Sequence, residues 1–168
     1  MAVTDPTYTR WGFSDAEWGL LVGLPQAVLT AAGAAEIDGA RASRAENAAG
    51  LETISRGRES ADPLVAAVAE ELVSRVGDPE AGEELPVRTP RDPAVTIAEA
   101  IERAQSAAHL LAHRVDEGSS GAYKHWLVEI AEQVVGAAAS GGVLGLGGDQ
   151  VTESERRFRD RLATALQG

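Results

Sequence analysis

The stretch from Asp92 to Val115, DPAVTIAEAIERAQSAAHLLAHRV, decides the fold. Ala94, Ile97, Ile101, Ala104, Ala108, Leu111 and Val115 recur at alternating spacings of three and four, which winds them into one apolar stripe along a helix. Asp92 is suited to accept from first-turn amides. Pro93 fits the first helical position, where its missing N–H loses nothing. The stretch predicts a helix over 93–115 that buries one side.

The same signals recur outward in both directions. Ser14 to Glu17, Ser43 to Glu46 and Thr152 to Glu155 each place a hydroxyl three residues ahead of a Glu, the capping-box spacing in which hydroxyl and carboxylate each satisfy a free backbone N–H. Asp62-Pro63 repeats the start at Asp92-Pro93. Together they predict helices near 14–37, 43–58, 62–76, 93–115, 120–140 and 152–166, with Pro25 kinking or splitting the first. The last carries a weaker stripe of Phe158, Leu162, Ala165 and Leu166. No alternating apolar–polar strand stands out, and 31 alanines dilute the β-branched residues. The expected fold class is all-α: a compact bundle of about six helices, readable as a pseudo-repeat of two three-helix halves. An N-terminal arm (1–13) precedes a first helical half (14–76). An acidic, Pro-rich loop (77–92) joins that half to a second one (93–168), and the apolar content suffices for one core in one domain.

Composition removes several chemistries. With no Cys there is no disulfide framework, thiolate metal cage or cysteine nucleophile. A net charge of −11, from 26 acidic and 15 basic side chains, disfavours nucleic acid, which needs a basic face. The start lacks a basic n-region and an apolar h-region, so a cytoplasmic protein is expected. The uncharged run 18–35 has the length of a membrane span and carries Gly19 and Gly23 at the spacing of close-packed membrane helices. Acidic flanks (Asp15, Glu17, Glu36, Asp38) and the internal Pro25, Gln26 and Thr30 favour a buried helix instead, and no membrane span is expected.

A motif occurs twice: small apolar residues end in a Gly/Asp turn that leads into a capping box and a new helix. The first copy is Ala35, Asp38, Gly39, Ser43 and Glu46; the second is Gly148, Asp149, Val151, Thr152 and Glu155. This resembles the tellurite-resistance TerB-like all-helical family, whose pattern runs roughly Ala-x-x-Asp-Gly-x-Val-Ser-x-x-Glu. Here the first copy is one residue longer between Asp38 and Glu46, and the second reverses Asp-Gly to Gly148-Asp149. The resemblance implies an all-α domain with acidic clusters for a divalent metal. On that reading Asp38, Glu46, Asp149 and Glu155 converge as hard oxygen ligands for Ca²⁺ or Mg²⁺. The alternative is that each carboxylate only caps a helix.

Other features point less sharply. His109 and His113 share a helix face with Glu102 and Glu117, yet neither His-Glu-x-x-His nor Glu-x-x-His occurs, so solvated imidazoles are expected. The Gly-rich loop 140–148 offers bare amides but lacks the Lys-Ser/Thr of a phosphate loop and a preceding strand. Trp11, Phe13, Trp18, Tyr123 and Trp126 are expected to anchor the core. Two functions follow as expectations. The first is a non-enzymatic interaction module of the TerB-like stress-response type. It would meet a protein partner or a divalent cation, and small-residue faces at Gly19/Gly23 and Gly136/Ser140 would suit a homo-oligomer. The alternative is a small enzyme or enzyme subunit with a site between the Trp-bearing helices and the Gly-rich loop.

Overall fold

The computed structural model describes residues 7–35, 40–76, 92–140 and 153–167, with side chains for all of these except 7, 40–45, 76 and 138–140. Among these residues all regular structure is helical. Six α-helices run in the order α1 (Asp15–Ala34), α2 (Ala40–Arg56), α3 (Pro63–Val76), α4 (Pro93–Arg114), α5 (Glu117–Ser140) and α6 (Glu153–Gln167), with 3₁₀ turns at Thr7–Trp11 and Gly57–Glu59. No helix among them is long and apolar enough to cross a membrane. The expected loop at 77–91 and the Gly-rich run 141–148 lie outside the described residues.

Helix starts form where oxygen-bearing side chains meet free amides. The Ser14 backbone N–H donates to Glu17 Oε2 at 2.8 Å and the Glu17 N–H donates to Ser14 Oγ at 3.2 Å, a complete capping box. Asp62 Oδ1 accepts from the Leu64 and Val65 amides at 3.0 and 3.1 Å, and Asp92 Oδ1 from the Ala94 amide at 2.9 Å. Two expected starts shift. Helix α5 begins at Glu117 rather than 120, because Asp116 Oδ1 accepts from the Ser119 amide at 2.8 Å. That amide holds the Asp116 carboxyl below the usual carboxylate range. Helix α2 begins at Ala40 rather than 43, because Ala40, Arg41 and Ala42 are strong helix formers that carry the helix back past Ser43. Ser43 therefore sits inside the helix and cannot be its N-cap.

Helix α1 runs through Pro25 without interruption, so the expected split does not occur. Proline lacks the N–H that would bond the carbonyl four residues back, which is that of Leu21. That carbonyl accepts instead from the Tyr123 hydroxyl of α5, at 2.6 Å in a fully buried setting. Burial also pushes the Tyr123 phenol well above its ordinary range, so it stays a donor.

Further along, Leu29 of α1 and Val134 of α5 meet over Gly50 of α2. Tyr123 lies beside Leu21 and Val134 beside Leu29, so α1 and α5 run parallel. The Trp126 indole N–H donates to the Thr53 carbonyl in the last turn of α2, at 3.2 Å. Helix α2 is thus antiparallel to α1 and α5. Helix α4 is antiparallel to α1: Arg114 at its end donates to the Gly12 carbonyl at 3.2 Å and pairs with Glu17 at 3.3 Å. Gly12 makes this turn with φ +73°, a left-handed conformation that suits glycine. The parallel pair α1/α5 is the spine. Helix α2 packs most extensively on α5 and α4 on α1, α3 closes the α2 side, and α6 packs chiefly on α4. The helices of 14–76 and 93–168 interleave around one core, rather than each half packing on itself.

The aromatic residues are structural, as expected. Tyr8, Trp11 and Phe13 ring Trp18 at centroid distances of 5.4, 6.1 and 6.2 Å. Only the start of α4 departs from its predicted stripe: Ala94 is exposed, so burial begins at Ile97.

Replacing Tyr123 by Phe strands the buried Leu21 carbonyl and should cost about 1–3 kcal/mol in urea unfolding. The folded-state phenol titrates above the unfolded-state value of about 10. The hydroxyl's contribution is therefore full below that pH and falls as pH rises through the folded value, a loss that Tyr123→Phe should not show. In a Pro25→Ala background the residue-25 N–H supplies the carbonyl, so the same Tyr123→Phe change should cost about 0.5 kcal/mol less or better. A cycle showing strict additivity would refute the link. At Gly50 an added Cβ would stand 2.6 Å from Leu29 Cδ1 and 2.9 Å from Val134 Cγ2. Gly50→Ala should therefore destabilise by about 1–3 kcal/mol. At the exposed Gly19, where nothing lies within 4 Å, the same change should instead stabilise by about 0.5–1 kcal/mol.

Candidate functional site

The four carboxylates of the repeated motif fare differently. Asp38 and Asp149 lie outside the described residues. Glu46 and Glu155 are described, and both are buried, at 3% and 2% exposure. Carboxylates almost never reach such burial without strong compensating partners, since leaving water is costly for them. Glu46 is the seventh residue of α2. The open amides of a helix belong to its first turn, so Glu46 is beyond the reach of an N-terminal cap. It faces α1 instead, with Oε2 only 3.7 Å from where a Cβ on Gly33 would stand. Glu155 is the third residue of α6, the position a capping box requires, although Thr152 lies outside the described residues.

The helix directions place the linkers. Helices α1 and α5 are parallel, so they end on the same side of the bundle, and α2 starts there. Val134 stands level with Leu29, and six more residues carry α5 about 9 Å further, to the level of the α1 terminus. The segments containing Asp38 and Asp149 therefore both leave the described helices from the end where Glu46 is buried. Among the described residues, which do not include Asp38 or Asp149, no three His, Asp or Glu side chains form a group able to hold a metal.

His109 and His113 are exposed, as expected, with ring centroids 4.7 Å apart in an edge-on contact. The aromatic residues that an enzyme cleft would have used are packed into the core or over its edge.

A second feature was not read from the sequence. A cleft of about 740 Å³ lies between α4 and α6, lined by Ile101, Gln105, His109 and Ala112 on one side and Asp160, Arg161, Thr164 and Ala165 on the other. The signal was present as spacing: 101, 105, 109 and 112 form one ridge of α4, and 161, 164 and 165 share a face of α6. It was hidden because these residues mix polar and apolar types, whereas the apolar stripe alone drew the helix face. Asp160 accepts from Arg159 Nη2 at 3.1 Å and Nε at 3.3 Å, and its backbone carbonyl accepts from the Thr164 hydroxyl at 2.9 Å.

No known family model matches the chain, and neither the curated proteins nor the solved structures yield a match, so its function is argued from its own residues.

Proposed function

We propose that this protein is a non-enzymatic all-helical interaction module whose working end binds a divalent cation, Ca²⁺ or Mg²⁺, through Asp38, Glu46, Asp149 and Glu155, in the manner of the TerB-like family it resembles. The observation that carries this reading is the burial of Glu46 on α2, outside capping range, at the end of the bundle from which the Asp38 and Asp149 segments depart. A hard, oxygen-seeking cation is the chemistry that four carboxylates serve. The packed aromatic cluster supports a module over a catalyst, because it is spent on the core. A cation held at this end would fix the two linkers together and present one surface to a protein partner in the cytoplasm.

Thermal melting with Ca²⁺, Mg²⁺, Mn²⁺ and Zn²⁺ tests the reading. A cation that binds only the folded chain stabilises it by about 2.7 kcal/mol at a hundred times its Kd, so Tm should climb with concentration for Ca²⁺ or Mg²⁺. Asp38→Asn and Asp149→Asn should each abolish the climb while leaving the cation-free Tm within about 2 °C. Glu46→Gln should abolish it too. No climb with any cation, or an undiminished one in both Asp variants, rejects the cation site.

A further inference from the structure

The cleft between α4 and α6 differs in character from the rest of this acidic chain. Its floor is apolar, made by the nearly buried Ile101 and Ala165. Its rim carries three hydrogen-bond donors: the Arg161 guanidinium, the Gln105 amide and the His109 imidazole. Its one carboxylate is already engaged, since Asp160 accepts from both the Nε–H and a terminal Nη2–H of the Arg159 guanidinium. Arg157 on the same helix is likewise paired, with Glu153. Arg161 is not: among the described residues no carboxylate lies within ion-pair distance of it, and its side chain is exposed at the cleft. The volume, about 740 Å³, falls in the range of small-molecule sites.

We infer that this cleft is a binding site for a small amphipathic carboxylate, a molecule with one anionic head and a short hydrocarbon body. The head pairs with Arg161, whose planar fork matches a carboxylate in two parallel hydrogen bonds. Gln105 and His109 are positioned along the same rim to donate to it. The hydrocarbon lies over Ile101 and Ala165, where leaving water is favourable. Neither part suffices alone: one exposed ion pair contributes little in water, and the apolar floor is small. The site is separate from the carboxylate end proposed above, so each stands or falls without the other.

Amide-resolved NMR of the full chain tests it, with sodium octanoate below its micelle concentration as the probe. Saturable shifts are expected at 101–112 and 160–165. Arg161→Gln should weaken the fitted affinity roughly two- to fivefold, the loss of one exposed charge-assisted contact, without moving Tm. Ile101→Ser should weaken it through the floor. Inorganic phosphate, an anion with no hydrocarbon, should give no saturable shift there. The inference is overturned if octanoate does not saturate or if Arg161→Gln binds it as well as the parent chain. It is also overturned if phosphate titrates the same amides equally, or if only Zn²⁺ moves the His109 and Asp160 signals.

Discussion

A proline in the middle of a buried helix leaves a carbonyl with no partner of its own, and the rest of this bundle is arranged around how that carbonyl is answered. Pro25 frees the Leu21 oxygen at the centre of the core, and Tyr123 reaches across from α5 to donate to it. The bond fixes the axial level of α5 against α1. One turn further along α5, the Trp126 indole N–H donates to a last-turn carbonyl of α2, and Gly57 allows the ring to lie against the chain there. Beyond that, Gly50 lets Leu29 and Val134 close over α2. Two buried polar contacts and two glycines thus set the register of three helices. The apolar side chains fill the space between them but would tolerate neighbouring registers. Buried hydrogen bonds add little net stability, yet leaving one unmade is costly, and this asymmetry is why they specify position.

Much of this was legible in the sequence where the information is local. Ser14 with Glu17, Asp62 with Pro63 and Asp92 with Pro93 open helices as their chemistry dictates, because a cap is settled within four residues. The stripe of α4 was readable for the same reason from Ile97 onward. What failed was equally local in appearance but decided elsewhere. Ser43 and Glu46 have the spacing of a capping box, but the preceding Ala-Arg-Ala favours helix strongly enough to move the start. Glu46 then lies in the second turn of α2, beside Gly33 of α1. Pro25 was expected to kink or split α1; it does not split it, and only the distant Tyr123 shows how the carbonyl it frees is answered.

The candidate sites divide along the same line. Carboxylates recurring beside turns are visible in a chain, so Glu46 and Glu155 could be singled out, but their burial depends on which helices they meet. The α4–α6 cleft was invisible because it joins residues some 50 to 60 positions apart, and neither ridge is apolar enough to announce itself. Arg161 matters only because Arg159 and Arg157 already hold the nearby acids, a fact of three-dimensional pairing that composition cannot express.

The interleaving of α1 with α4 and α5 has a consequence for how the chain is made. The most extensive partners of α1 are α4 and α5, roughly 80 to 100 residues downstream, so a nascent chain that has emerged only as far as α3 holds its longest apolar helix largely uncovered and its Leu21 carbonyl without the phenol. Native structure waits for Tyr123 and Val134 to leave the ribosome, and then the spine, both flanks and the closing helix can form together. Such distant pairing slows the search and exposes greasy surface meanwhile. It also makes assembly all-or-none, so partly built chains differ sharply from finished ones.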